Sequence, residues 1–283
     1  MSKITAFQYQ KDQPRPTQEQ LMDYISTHQI KLKPEAKSLA AGLEAINAEA
    51  KQAVLVVFQA LDAAGKDSTI RNVFRYCDPG HMNVAAFKAP SKREAAHDFM
   101  WRCYQEFPAK GQLSVFNRSY YEETLVVRVH PEFLKGQGIV QKPNKTFWNK
   151  RFNFIKQTET HLVNSGTKVI KFFLDVSQDV QHQRFIRRYS TPEKQWKFNT
   201  RDLQESLRWD DYQKAFNKML KKTSTRIAPW HIIPANDKPA MRAMVSAIIQ
   251  AEMSSMKPSY PGMPAFDENE LKLIDQLVSG DQP

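Results

Sequence analysis

Residues 54–70, V-L-V-V-F-Q-A-L-D-A-A-G-K-D-S-T-I, constrain the fold more than any other stretch of the chain. Val54 to Phe58 are apolar without alternation, so the strand they form is buried on both faces, as in the centre of a parallel sheet. Small residues and Gly65-Lys66 follow, and Ser68 to Phe74 is expected to wind as a helix. Strand, tight loop and helix with Gly-Lys at the turn is the layout of a phosphate-binding loop. Its backbone N–H groups and helix N-terminus attract anions, and its lysine neutralises the outer phosphates. Ala63, Ala64, Gly65, Lys66, Asp67 and Ser68 are then the phosphate-cradling residues.

The match to GxxxxGK followed by Ser or Thr is imperfect. Ala60 stands in place of the first glycine, and Asp67 in place of the metal-binding hydroxyl, with Ser68 and Thr69 one and two residues later. Asp62 lies inside the loop, where a carboxylate would repel phosphate. A divalent cation between the two removes the conflict, since Mg²⁺ favours one or two carboxylates plus phosphate oxygens. Asp62 is therefore the first expected metal ligand. Asp67 is either a second ligand or a favourable charge at the helix N-terminus.

A chain of 283 residues, 41% hydrophobic and 25% charged, has the composition of a soluble globular protein of one large domain or two small ones. No apolar run reaches the eighteen residues of a membrane span, and the polar first residues predict no secretory leader. Cys77 and Cys103 are the only cysteines and lack metal-ligand spacing, so a reduced, cytoplasmic setting is expected. The net charge of +11 points to an anionic partner. Residues 181–226 hold twelve Lys/Arg against five Asp/Glu, so this segment alone carries +7.

Five strand candidates alternate with helices: 54–58, 82–87, 113–116, 169–176 and 230–234. That pattern predicts an α/β fold, a doubly wound parallel sheet. Residues 1–16 read as an extended arm and 257–283 as a peripheral tail. Thr17 is expected to cap a helix over 18–27, and Ser91 with Glu94 to open one running to about Phe107. Helices at 178–189 and from Thr200 to about Lys222 carry the basic excess and are expected to form a helical lid over 178–222 within a single domain.

Phosphoryl transfer needs charge neutralisation, a bridging metal and alignment more than a covalent nucleophile. Lys66 would hold the phosphates. The strand ending at Phe116 leads into Asn117-Arg118-Ser119-Tyr120-Tyr121-Glu122-Glu123, and polar residues at the carboxyl end of a parallel strand are where open α/β sheets bind ligands. Asn117 can orient but not neutralise. Glu122 is the better substitute carboxylate, as second metal ligand, and Arg118 is placed to reach a phosphate. Lys88, closing the second strand, is a further phosphate contact. Arg128 and His130 either line the acceptor pocket or close a buried polar network.

Several motifs in order extend this reading. F-Q-A-L-D-A-A-G-K-D-S-T-I, F-K-A-P-S, F-N-R-S-Y-Y-E-E-T-L-V-V-R-V-H-P-E, R-F-I-R-R-Y, P-E-K-Q-W-K-F, R-W-D-D-Y and A-P-W-H-I-I-P-A-N-D-K together resemble family-2 polyphosphate kinases over roughly residues 30–250. The resemblance implies a P-loop kinase-like, thymidylate-kinase-like core with a lid, a basic channel for inorganic polyphosphate, and Mg²⁺ dependence with Mn²⁺ as a substitute. By motif, Asp62 and Lys66 match the family's loop acid and lysine, Arg118 its second-motif arginine, and Arg184, Arg188 and Lys197 its lid. The N-R-S-Y-Y-E-E form resembles members acting on nucleoside mono- and diphosphates. Arg128, Asn117 and Asp237 are the expected nucleotide contacts. The expected reaction is reversible phosphate transfer from polyphosphate to ADP or AMP by a homo-oligomer, dimer or tetramer. The alternatives are an ATP-dependent nucleoside monophosphate kinase and a nucleic-acid-binding P-loop protein. No nucleic-acid motif supports the last.

Overall fold

The computed structural model describes residues 4–196 and 198–279. Its sheet has five strands: β1 (Ala53–Ala60), β2 (Met82–Ala86), β3 (Leu113–Asn117), β4 (Thr167–Asp175) and β5 (Trp230–Pro234). They are parallel and ordered β2-β3-β1-β4-β5, which puts β1 at the centre. Every residue of β1 is buried. Val54, Val56 and Phe58 enter one core with Leu39 and Leu43 of helix Leu32–Glu49 and Met244 and Ile248 of helix Lys238–Ser254. Leu55 and Val57 enter the other, with Phe152 and Ile155 of helix Lys145–Asn164 and Phe216 and Leu220 of helix Trp209–Thr223. The unbroken apolar run thus feeds two cores, each buried side chain contributing roughly 1.5–3 kcal/mol. The chain is a doubly wound α/β protein.

Local signals hold where no side chain competes with the backbone. Thr17 and Gln20 form a reciprocal capping box at 3.2 and 2.8 Å on helix Gln18–Thr27. Ser91 and Glu94 form another, but the helix expected to reach Phe107 stops at Ala95 and resumes only as Trp101–Tyr104. Asp98 Oδ1 accepts from the Met100 N–H at 2.9 Å, an alternative that draws the backbone out of the helix. The long helix expected from Thr200 is also two pieces, Thr200–Ser206 and Trp209–Thr223, and Asn199 supplies the cap instead. Its second piece belongs to the core, where Phe216 stacks on Phe173 at 4.3 Å. Helix Trp209–Thr223, part of the lid expected over 178–222, therefore packs as part of the core.

The arm is less peripheral than its sequence suggests. Phe7 is buried, and its backbone flanks β5, with Tyr9 N–H donating to Trp230 O (2.7 Å) and Ile232 N–H to Phe7 O (2.8 Å). This covers a sheet edge that would otherwise be open. Arg15 then pairs with Asp175 at 3.0 Å. No helix among the described residues is long and apolar enough to cross a membrane.

Beneath the sheet's carboxyl end lies one charged cluster sealed from water. Lys171 Nζ donates to Glu159 Oε2 (2.6 Å), Tyr121 Oη (3.0 Å) and Thr223 O (2.8 Å), while Tyr120 and Tyr121 donate to Glu159 Oε1 at 3.0 and 2.7 Å. Burial lowers the lysine's pKa and Glu159 opposes it. Glu159→Ala strands a buried ammonium, so urea unfolding should show a loss of about 3–5 kcal/mol. A loss below about 1 kcal/mol would show that the ammonium is satisfied without its carboxylate.

Candidate active site

The loop after β1 takes its shape from two residues in the left-handed region, Ala63 (φ 61°) and Gly65 (φ 107°). Glycine occupies such a conformation freely, whereas in alanine it costs roughly 1–2 kcal/mol. Ala60, where the motif has its first glycine, is still the last residue of β1, paired with Leu174, and needs no special backbone. Helix Lys66–Val73 starts directly after Gly65, so its N-terminus opens onto the same space.

Three expected functional groups meet there. β1 and β3 pair with Phe58 opposite Asn117, which sets the turns after both strands side by side. Arg118, at φ 67°, points its guanidinium back across β1, with Nη2 2.5 Å from Asp62 Oδ1 and Nη1 3.3 Å from Glu122 Oε2. Lys66 Nζ donates to Ala60 O at 3.0 Å. Asp62, Lys66 and Arg118 line one cavity of about 1060 Å³. Burial works to raise the pKa of Asp62, but Arg118, Lys66 and Arg188 together hold it below the ordinary carboxylate value. Burial, aided by Arg118, pushes Lys66 down to about 8 against the pull of Asp62, Glu122 and Asp67. Glu122 and Asp62 hold Arg118 firmly in its charged form. Gln59, fully buried under the site, accepts from Ser119 N–H (3.0 Å) and donates to Glu122 Oε1 (2.8 Å) when its amide is oriented to satisfy both ends.

Other expected residues divide into those the cavity gathers and those it does not. Asn117 Nδ2 donates to Asp67 Oδ1 at 2.7 Å, which fixes the first-turn carboxylate of the loop helix. Ser68 Oγ donates to Gly65 O and accepts from Arg242 Nη2 (2.9 and 3.0 Å). Lys88 and Asp237 line the cavity, the latter also capping helix Lys238–Ser254. Arg188 reaches it while paired with Asp202 at 3.3 Å. Arg184, expected on phosphate, donates to four main-chain carbonyls, those of Ala63, Ala64, Ala235 and Asn236. Lys197 lies outside the described residues. Arg128 lines neither the cavity nor the crevice beside it and sits 5.2 Å over the Trp148 ring. His130 closes a polar network with Glu132, Glu205 and Arg208.

The sequence reading missed Gln59, Arg71, Gln181, Lys238 and Arg242. Lys238 and Arg242 had a signal: they are four apart just after a cap, hence on one helix face at its start. Burial and the neighbouring Arg184, Arg242, Arg187 and Arg188 push Lys238 down to about 8. A narrow crevice of about 30 Å³ lies on the other side of the Asp62–Arg118 pair, bounded by Glu122, Asp202, Glu205 and Tyr212.

The oxygen donors suit a divalent cation shared with substrate. Asp62 and Glu122 offer two carboxylates converging on one guanidinium, and phosphate and water must supply the remaining ligands, as Mg²⁺-type ions accept. Among the described residues no three of His, Cys, Asp and Glu group closely enough to hold a metal alone.

An anion loop at the central strand of a parallel sheet, with lysine, arginine and carboxylates gathered over it, defines a P-loop kinase-like phosphotransferase. Comparison with known proteins narrows the class. The family model of polyphosphate kinase 2 matches residues 25–261, and the chain belongs to that family. It is similar to an ADP-polyphosphate phosphotransferase of Rhodopseudomonas palustris, 44% identical over 250 residues covering 87% of this chain and 86% of the relative. An AMP/ADP-polyphosphate phosphotransferase of Meiothermus ruber is 42% identical, covering 77% and 78%. The crystal structure of polyphosphate kinase 2 from Arthrobacter aurescens TC1 superposes with a TM-score of 0.82 at 29% identity, covering 96% of this chain and 95% of that one.

Two cavity lysines with pKa near 8 carry charge below that pH and lose it above. Affinity for long-chain polyphosphate, whose interior phosphates stay ionised throughout, should therefore fall as pH rises through about 8. Calorimetric titrations at about pH 7 and 9.5 check this, and equal affinities would exclude both lysines as charge-bearing contacts.

Proposed function

We propose that the protein transfers the terminal phosphate of inorganic polyphosphate to ADP or AMP, reversibly, with Mg²⁺ as the bridging cation and Mn²⁺ as a substitute. The observation that carries this reading is the charge of the cavity, whose lining holds nine Lys/Arg and three Asp. A mononucleotide triphosphate carries about four negative charges and leaves such a wall uncompensated, whereas a polyanion continues along it.

In this reading Lys66, Arg118 and the loop N–H groups hold the chain end. Asp62 and Glu122 hold the cation, which neutralises charge on the transferred phosphate. Asp62 and Arg118 line both the cavity and the narrow crevice, so the ion pair forms the wall between them. Asn117 and Asp237, expected as nucleotide contacts, face the larger space. The acceptor phosphate is already ionised at neutral pH, so no general base is required. Rate then comes from alignment and charge neutralisation. Two unpaired cysteines suit a reduced cytoplasmic setting. A homo-oligomer, dimer or tetramer, belongs to the same reading, since helix Glu268–Ser279 exposes Leu271, Leu273 and Leu277.

Incubation with ADP, Mg²⁺ and long-chain polyphosphate should yield ATP, and a chelator should abolish the product. Asp62→Asn and Lys66→Ala should each lower turnover at least about 100-fold with unchanged unfolding midpoints. No ATP from the unaltered protein, together with ATP-driven phosphorylation of AMP, would replace this reading by a nucleoside monophosphate kinase.

A further inference from the structure

We infer that Gln181 and Arg184 are positioning residues, which hold the carbonyls of the phosphate loop away from the cavity so that its N–H groups aim into it. They stand one turn apart on helix Gln178–Ser190 and meet three successive loop carbonyls. Gln181 Nε2 donates to Asp62 O at 2.9 Å, and Arg184 Nη1 to Ala63 O and Ala64 O at 3.1 and 3.0 Å.

The remaining carbonyls of the loop are satisfied from within it. Ala60 O accepts from Lys66 Nζ, Leu61 O from Ala64 N–H, and Gly65 O from the Ser68 and Thr69 hydroxyls. Peptide groups are planar and, here, all trans, so each N–H points opposite the carbonyl of its own peptide. Fixing the oxygens of Asp62 and Ala64 on one side therefore sends the N–H groups of Ala63 and Gly65 to the other. The same contacts brace Ala63 in its left-handed conformation.

Arg184 does this at the expense of any phosphate contact. Its Nη2 donates to Ala235 O and Asn236 O, both at 2.8 Å, so all four Nη hydrogens are committed. One planar fork ties the loop to the segment leading into Lys238, and an ammonium cannot reproduce that geometry. The anchored part of the lid helix thus ends near the buried Phe185, and Arg187 and Arg188 lie beyond it.

This inference rests on the polyphosphate reading, and the unaltered protein must first make ATP from polyphosphate. Failure there sinks that reading whatever the variants do. Arg184→Lys keeps the charge and loses the fork. It should lower kcat about 10- to 100-fold while KM for polyphosphate stays within about twofold, because the reacting phosphate is misaligned but the chain is still held. In Arg184→Ala, which removes the charge, the slope of log KM against log salt should be unchanged, since no phosphate contact is removed. Gln181→Leu should lower kcat in the same way and by less. In the ligand-free protein, hydrogen exchange at Ala64, whose N–H is bonded to Leu61 O, should quicken in Arg184→Lys and Gln181→Leu while β1 stays protected. A lysine variant with normal kcat, an alanine variant with raised KM and a shallower salt slope, or unaltered loop exchange would each overturn the assignment. If Arg184 variants fail to fold, Gln181→Leu with its exchange readout decides alone.

Discussion

Register between β1 and β3 is the constraint on which the site depends. Because Phe58 stands opposite Asn117, the turn carrying Asp62 and the turn carrying Arg118 leave the sheet as neighbours. A parallel sheet tolerates no one-residue slip here, since a slip would turn the alternate side chains of β3 from one core into the other. The resulting Arg118 fork between Asp62 and Glu122 keeps two carboxylates and a guanidinium in a satisfied arrangement without substrate. In the proposed reaction, Asp62 and Glu122 would hold the cation and the Arg118 guanidinium would be free to hold phosphate.

Around that fork the cavity lining is predominantly cationic, nine Lys/Arg against three Asp. Lys66 and Lys238 are both pushed down to about 8, which means that their charged forms are disfavoured where they sit. Burial is the larger cause for both and the neighbouring arginines add to it, so holding these charges here weakens the ligand-free fold. An anion that binds only the folded state restores what is lost. The buried pair of Lys171 and Glu159 lies under the same strand ends and is internally neutral, so it braces the Tyr120–Tyr121 turn without adding to that field.

Much of this was legible in sequence because it is local. The apolar run at Val54–Phe58, the Gly65-Lys66 turn and the Thr17 capping box each depend on residues within a few positions of one another. The convergence of Asp62 and Lys66 with Arg118, 56 residues from Asp62, is not local, but it follows once both segments sit at carboxyl ends of parallel strands. What the sequence hid is non-local. Nothing near Arg15 announces Asp175, 160 residues away, and nothing near Gln59 announces its bond to Glu122. The helix expected to run to about Phe107 is interrupted at Asp98, whose carboxylate takes the Met100 N–H in place of a backbone carbonyl. Arg128 reads like a site residue from its neighbours, yet its helical turn delivers it to the Trp148 ring.

The basic segment 181–226 shows why net charge along the chain is a poor proxy for field in space. Arg184 is consumed by carbonyls, Arg208 pairs with Asp211, and Lys221 reaches Asp12 at 3.6 Å on the far side of the core helix. Of the twelve cations there, only Arg184, Arg187, Arg188 and Lys194 line the cavity among the described residues. Lys66, Arg71, Lys88, Arg118 and Lys238 come from four other places in the sequence. A wall assembled in this way from the ends of several strands and helices cannot be read from the charge of any one segment.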